Sequence, residues 1–226
     1  MKALWQRLET WALEHAGRSL HLRKGASAKA LKAAEKTMKL ALPADVRESL
    51  LAHDGQEARE DLFEWLPGVA QLKPLDEIVA RWQEEDAQTD DAGAGEILGP
   101  LRRALWHRKR IPIAGNPWWD GWNTFVDLLP SPTGTSGQII SFVSECDLVC
   151  LAPSLRSALE HYADGLDRGH WVFGDGCIVP AGITRSKYWC QSELFGTYVA
   201  TGGFGKAAKK SAKKPANEPA KKSKRS

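Results

Sequence analysis

The sequence predicts an α+β fold, with N-terminal helices packed on a mostly antiparallel sheet, a closing helix and a disordered basic C-terminal tail. Amphipathic helical patterns fill the N-terminal part, and four strand-like runs then follow one another, joined by short turn-rich segments. This order differs from the strict strand–helix alternation of a doubly wound parallel sheet. Residues 205–226 are mainly Lys, Ala, Ser and Pro, which cannot bury enough apolar surface to order themselves.

Two helices are predicted before residue 41. Residues 2–16 place leucine and tryptophan at helical spacing, and Gly17 ends the pattern. Residues 27–40 repeat this spacing, and Ser27 is the residue type that caps a helix N-terminus. The connection between them is predicted to be irregular.

A third helix is predicted over residues 42–55, LPADVRESLLAHDG. Pro43 suits its first turn, where the missing N–H costs nothing. Asp54 and Gly55 are expected to end it, because glycine accepts the positive φ of a C-cap. His53 next to Asp54 invites comparison with a general base and its orienting carboxylate, but adjacent side chains at a helix end diverge and no nucleophile is linked to them. We therefore predict a scaffold turn at Pro43, His53, Asp54 and Gly55, and no catalytic residues.

The sheet is predicted in the second half of the chain. A short strand and turn are expected near 62–72, and the acidic, glycine-containing residues 88–96 form a loop. The remaining predictions are a helix over 75–88, strands at 111–114, 123–129, 138–143 and 148–151, a helix over 153–166, and short apolar pieces at 171–179 and 188–199.

Charge divides the chain into an acidic body and a basic tail. The net charge is +3, yet residues 206–226 alone carry eight Lys, one Arg and one Glu. Residues 1–205 hold 22 basic and 27 acidic side chains, a net of −5. An acidic body suits basic partners, whereas the tail suits sequence-independent attraction to polyanions. The tail lacks the aromatic residues on which single-stranded nucleic acid stacks.

Cysteine use and hydropathy predict a cytoplasmic protein without a metal or another cofactor. No apolar run approaches the length of a membrane span, and the N-terminus has no secretory pattern. Cys146, Cys150, Cys177 and Cys190 are then expected to be free thiols. Cys146 and Cys150 lack the second tight pair that a structural zinc site requires.

Several segments in order resemble the SMI1/KNR4 family, also called the SUKH superfamily. They are Glu35 before Met38, LPADVRESLLAHDGQE at 42–57, LPGVAQLKPLDEIVARW at 66–82, IPIAG at 111–115, NTFVDLL at 123–129, GQIISF at 137–142 and LAPSLRSALEHYADGL at 151–166. The HDGQ form and the later Trp-Val-Phe are similar to the subgroup of the fungal cell-wall synthesis regulator. Glu35, Pro43, Asp54, Gly55, Asp127, Gly137 and Pro153 fall where characteristic residues of the family lie.

This resemblance implies a non-enzymatic protein-binding domain. In bacteria such proteins are often immunity proteins that neutralise toxins, and in fungi they are regulatory interaction proteins. We expect a family-like domain over 27–173, preceded by an N-terminal helix and connection at 1–26 and followed by an extension at 174–204 and the tail at 205–226. The partner is a toxin or a regulatory protein, with a weak polyanion contact by the tail; the oligomeric state is left open.

A tryptophan-rich loop is the strongest candidate for partner binding. Trp118, Trp119, Asp120 and Trp122 lie between two predicted strands, so that three tryptophans in five residues cannot all alternate into one core. Exposed tryptophans are frequent anchors of protein interfaces. The alternative is that two of the rings plug the end of the core and one lies flat on the surface.

Overall fold

A five-stranded, mostly antiparallel sheet lies at the centre of the computed structural model. The structure describes residues 1–59, 61–69, 71–86, 97–104, 106–116, 119, 123–143, 147–174 and 176–182. The α+β prediction is confirmed. The helices are α1 (Lys2–Trp11), continued by a π-helical turn (Ala12–Ala16), α2 (Ala28–Met38), α3 (Ala44–Ala52), α4 (Leu75–Asp86) and α5 (Leu155–Asp167). The strands are β1 (Ile97–Leu98), β2 (Arg110–Ala114), β3 (Thr124–Asp127), β4 (Gln138–Val143), β5 (Asp147–Ala152), β6 (Trp171–Gly174) and β7 (Cys177–Pro180).

The spatial order of the central sheet is β1-β5-β4-β3-β2. β1 runs parallel to β5, and every other pair is antiparallel. β6 and β7 form a separate antiparallel hairpin after α5. β1 was not predicted from the sequence, because two residues are too short to show a strand pattern.

The two faces of the sheet carry different apolar clusters, because side chains alternate along each strand. Val126 and Ile139 belong to the main core with the helices, whereas their chain neighbours Phe125 and Ile140 belong to a smaller outer cluster. Leu101 and the partly buried Trp106 cover that outer cluster. The segment that contains both therefore closes the face of the sheet opposite the helices.

Helix α1 packs into the main core. Trp5 and Leu8 are fully buried, and the indole Nε1 of Trp5 donates to the hydroxyl of Ser49 in α3 at 2.9 Å. Arg7 on the outer side pairs with Asp164 and Asp167 of α5. The N-terminal helix thus shares one core with the elements that follow it.

Two local expectations are corrected. Helix α3 ends at Ala52, and His53 is extended, so Gly55 forms the following turn and is not the C-cap. Of residues 62–72, the structure describes 62–69, 71 and 72, which form bends and turns, with a bridge between Leu72 and Ala114. Their backbone groups bond to separate segments and not to one strand: the N–H of Phe63 donates to the carbonyl oxygen of Ser19, and that of Leu72 donates to the side chain of Gln56. The predicted piece at 188–199 and the tail lie outside the described residues.

Among the described helices, none is both long enough and apolar enough to cross a membrane.

Candidate protein-interaction surface

The turn after α3 joins three parts of the main chain. A ring nitrogen of His53 lies 3.2 Å from the carbonyl oxygen of Arg23. Asp54 accepts a 2.7 Å hydrogen bond from the backbone N–H of Leu75, the first residue of α4, whose exposed N–H groups it helps to satisfy. Gly55 has φ +74°, and a Cβ there would lie 2.6 Å from the carbonyl carbon of Lys73. Only glycine fits this approach.

Gln56 completes this turn, and we call residues 53–56 the HDGQ junction. Gln56 is 1% exposed. Its amide nitrogen donates to the carbonyl oxygens of Leu20 at 2.9 Å and Phe63 at 3.2 Å, and its amide oxygen accepts from the N–H of Leu72 at 3.0 Å. The polar atoms of the junction are therefore used to hold the scaffold. His53 and Asp54 bond to different backbone segments and do not form an acid–base pair.

The corner between α2 and α3 is held by a second predicted residue and its partners. Glu35 accepts from the N–H of Leu42 at 3.0 Å and pairs with Arg47, which lowers the pKa of the Glu35 carboxyl below its usual value. Pro43 immediately precedes α3 and approaches the backbone of Gly137 at the start of β4. This corner is also scaffold.

Within the tryptophan-rich loop, Trp119 is described, and Trp118, Asp120 and Trp122 lie outside the described residues. Trp119 is half-buried, with φ +54°, a conformation that is costly for a bulky residue. Its ring lies against Gly115, where a Cβ would come within 2.5 Å of the ring. The side-chain amide of Asn123 donates to its carbonyl oxygen at 3.3 Å. The contact with Gly115 and the bond from Asn123 thus position Trp119 against the end of β2.

Cations surround the ring of Trp119. Lys73 Nζ lies 5.4 Å and Arg81 Cζ 5.7 Å from its centroid, both within cation–π distance. Arg81 also lies 5.6 Å from the ring of Trp106, so a single guanidinium connects the two tryptophans. Lys73 is 3% exposed and bonds to Gln71 and Glu77. It therefore packs beneath the ring of Trp119 and is not itself part of the exposed surface.

A basic segment continues this surface. Arg108 and Lys109 are exposed, and the guanidinium of Arg108 lies 6.0 Å from the ring of Trp82 in α4. The indole of Trp82 in turn donates to the carbonyl oxygen of Arg108 at 2.8 Å. We define the tryptophan–arginine surface as Arg81, Trp106, Arg108, Lys109 and Trp119.

A buried polar network fixes the basic segment to the sheet. Arg110 and Asp127 are almost fully buried, with Nε and Oδ1 3.4 Å apart. Gln138 donates to Asp127 at 2.9 Å and to the carbonyl oxygen of Pro100 at 3.2 Å, and Arg110 donates to that of Arg102 at 3.0 Å. Burial lowers the pKa of Arg110 and Asp127 opposes that shift; an arginine remains charged at neutral pH. The network thus links Asp127 of β3 and Gln138 of β4 to the segment at 100–102 and to Arg110 of β2.

Of the tryptophan–arginine surface, only Trp119 was predicted from the sequence. The segment RRALWHRKR at 102–110 does show a signal, since it combines a tryptophan with five basic residues and no acidic one. Which of those charges are exposed depends on the buried pairing of Arg110.

A polar cleft of about 750 Å³ lies between α1 and the HDGQ junction, with His21, His53 and Glu57 on its walls. Glu9, which also lines it, is bound by the hydroxyl of Ser19 at 2.5 Å and the N–H of Leu20 at 2.7 Å. In the part of the chain that the structure describes, no three His, Cys, Asp or Glu side chains are placed to hold a metal ion.

The described cysteines are Cys150 and Cys177, and neither forms a disulfide; Cys146 and Cys190 lie outside the described residues. Cys150 is fully buried in the outer cluster, and burial raises the pKa of its thiol well above the usual value. A thiol held protonated in this way is a poor nucleophile.

Comparison with known proteins identifies relatives. The model of the SMI1 / KNR4 family (SUKH-1) matches residues 25–161. A "Cell wall biosynthesis/cell cycle regulator smi1" of Schizosaccharomyces pombe is 29% identical over 185 residues, which cover 74% of this chain and 36% of the relative. A "Glucan synthesis regulatory protein" of Neurospora crassa is 27% identical, covering 74% and 38%, and a "KNR4/SMI1 homolog" of Yarrowia lipolytica is 27% identical, covering 74% and 30%. The chain therefore spans about a third of the length of these curated relatives.

Proposed function

The chain belongs to the SMI1/KNR4 family, and we propose that it is a non-enzymatic regulatory domain that acts by binding a protein partner. Two of the curated relatives are named as regulators, one of cell-wall biosynthesis and the cell cycle and the other of glucan synthesis. By analogy, we assign this chain a regulatory interaction in a cell-wall or signalling pathway.

One observation carries the proposal: a half-buried tryptophan is held in a left-handed backbone conformation and surrounded by cations. Strained conformations persist where the surrounding structure enforces them, and they concentrate at functional sites. Tryptophan and arginine are also the residue types most enriched at interface hot spots. A ring fixed before binding loses little conformational entropy when a partner covers it.

The test compares partner capture by the full chain and by Trp119→Asn. Asparagine tolerates a positive φ, so this substitution removes the ring with little added backbone strain. We expect a partner, identified by mass spectrometry, to be captured by the wild type and lost by Trp119→Asn. Leu13→Asn is the control, since it removes an exposed apolar side chain from the distant π-helical turn. Retention of every partner by a folded Trp119→Asn protein would contradict the proposal.

A second candidate function is that of an immunity protein that neutralises a toxin. The observation in its favour is the net charge of −5 over residues 1–205, which complements basic toxins that attack nucleic acids. The same capture experiment separates the two: a basic toxin as the partner supports immunity, and a regulatory protein supports the first proposal. We also assign the lysine-rich tail a weak, salt-dependent contact with a polyanion. Unchanged heparin retention after the lysines of the tail are replaced by glutamine would contradict that contact.

A further inference from the structure

We propose that the tryptophan–arginine surface binds a short acidic segment of a partner protein, in which apolar side chains alternate with carboxylates. This inference rests on the proposed protein-binding function and adds the chemistry of the partner. It assigns a role to a basic patch on a body whose remaining charge is strongly acidic.

The charge distribution is the first argument. Residues 97–119 contain five basic residues and no acidic one, whereas the rest of residues 1–205 contains 17 basic and 27 acidic residues. Of these five, Arg110 is buried and pairs with Asp127. The other four are exposed: Arg102, Arg103, Arg108 and Lys109. A local positive field inside an acidic surround attracts a short negative segment to this place and repels it elsewhere.

The geometry of the arginines is the second argument. Arg81 lies between the rings of Trp106 and Trp119, where one of its nitrogens also pairs with Glu84 at 3.4 Å. The guanidinium of Arg108 lies beside the ring of Trp82. A guanidinium held beside a ring keeps its planar fork of donors in place, and such a fork matches a carboxylate with two parallel hydrogen bonds. The half-buried rings offer apolar contact next to these donors, which is why we expect apolar residues between the acidic ones.

The surface fits an acidic protein segment better than it fits nucleic acid. Single-stranded nucleic acid needs open aromatic faces for base stacking. The ring of Trp119 already lies against Gly115, and Trp106 packs against Phe125 and Phe142 with ring centroids 5.6 and 5.9 Å apart. A long polyanion would also extend beyond the basic patch onto the acidic remainder of the body.

Binding of a defined peptide to the full chain tests the inference. The probe is a short, fluorescently labelled peptide of alternating glutamate and leucine, and its glutamine counterpart is the ligand control. We expect Arg108→Glu with Lys109→Glu to weaken binding of the glutamate peptide about tenfold, which is the effect of reversing two interfacial charges of modest strength. Added salt should weaken wild-type binding in the same direction.

The matched control reverses another exposed Arg-Lys pair. Arg23→Glu with Lys24→Glu changes the net charge equally, on the connection before α2, and leaves the basic tail intact. We expect it to change peptide binding less than twofold. Thermal melting followed by circular dichroism checks that each variant is folded. Arg108→Gln with Lys109→Gln replaces the reversal if the latter does not fold, with a proportionately smaller expected loss.

Several results would overturn the inference. Equal weakening by the two double substitutions would mean that the peptide senses only net charge or the tail. Equal binding of the glutamine peptide would remove the role of carboxylates. If binding of a single-stranded oligonucleotide depends on Arg108 and Lys109 and binding of the peptide does not, the result would favour nucleic acid. If Trp119→Asn abolishes capture of the partner and the Arg108/Lys109 reversal does not, the acidic partner is wrong and the proposed function stands.

Discussion

The HDGQ junction and the tryptophan–arginine surface both combine polar and bulky side chains, but they use them differently. At the junction, Gln56 is buried and both ends of its amide bond to backbone groups. At the surface, Arg108 and Lys109 are exposed, and the rings of Trp106 and Trp119 are half-buried. The first region satisfies the fold, and the second has charge directed to solvent.

We propose that partner choice is encoded in the second of these regions. The HDGQ segment is constrained by several backbone partners that this fold must satisfy. A surface whose charges face solvent can vary in sequence without loss of the fold. We therefore assign the partner specificity of this chain to the tryptophan–arginine surface and the scaffold role to the junction.

The largest expected effect concerns the buried network that fixes the basic segment to the sheet. Asp127→Asn removes the charge that pairs with Arg110 and leaves a buried cation uncompensated, so we expect a loss of about 3–5 kcal/mol in the free energy of unfolding. Urea denaturation measures it. The control is Asp167→Asn on the surface of α5, which should cost less than about 1 kcal/mol. A loss as small as the control's would show that the network does not hold the basic segment.

The next effect is confined to the junction. Gln56→Ala leaves the carbonyl oxygens of Leu20 and Phe63 and the N–H of Leu72 without their bonds, so we expect a loss of about 2–3 kcal/mol. Peptide binding per folded molecule should not change. Glu57→Ala, at the exposed neighbouring position, is the control for denaturation. Weakened peptide binding by folded Gln56→Ala protein would blur the distinction between the two regions.

A smaller effect is expected on the surface side. Gly115→Ala places a Cβ where the ring of Trp119 now lies, so the ring must move, at a cost of about 1–3 kcal/mol for overpacking. We expect weaker binding of the glutamate peptide, as with Trp119→Asn. Gly174→Ala is the control, since its Cβ would meet no atom closer than 4.0 Å. Unchanged binding by Gly115→Ala would mean that the position of the ring is irrelevant to recognition.

The smallest effect concerns pH and the helical side of the fold. Burial lowers the pKa of His161 in α5, so the unfolded chain takes up a proton at a higher pH than the folded chain does. Stability from this group is complete above a pH of about 6.5 and falls as the pH drops through the lower folded-state pKa. His161→Gln should flatten that part of the stability curve. An unchanged acid limb in denaturation experiments would contradict this assignment.

The sequence predicted the fold well because its signals are local. Ser27 bonds to the N–H of Ala30 as a helix cap, and the four main strands lie within a few residues of their predicted bounds. The predicted end of α3 was wrong because Gly55 adopts its positive φ where it approaches Lys73, a residue distant in sequence, and not at the helix C-cap. The surface was predicted only in part: Trp119 stands out by composition, but its meeting with Arg81 depends on the packing of α4 against the loop.

Hydrogen–deuterium exchange on the full chain, with and without the glutamate–leucine peptide at saturating concentration, tests the central claim most directly. We predict slower exchange over residues 106–109 and at Trp119, with no change at residues 53–57. Protection at 53–57 and along the cleft beside α1, with none at 106–109, would contradict the assignment of recognition to the tryptophan–arginine surface.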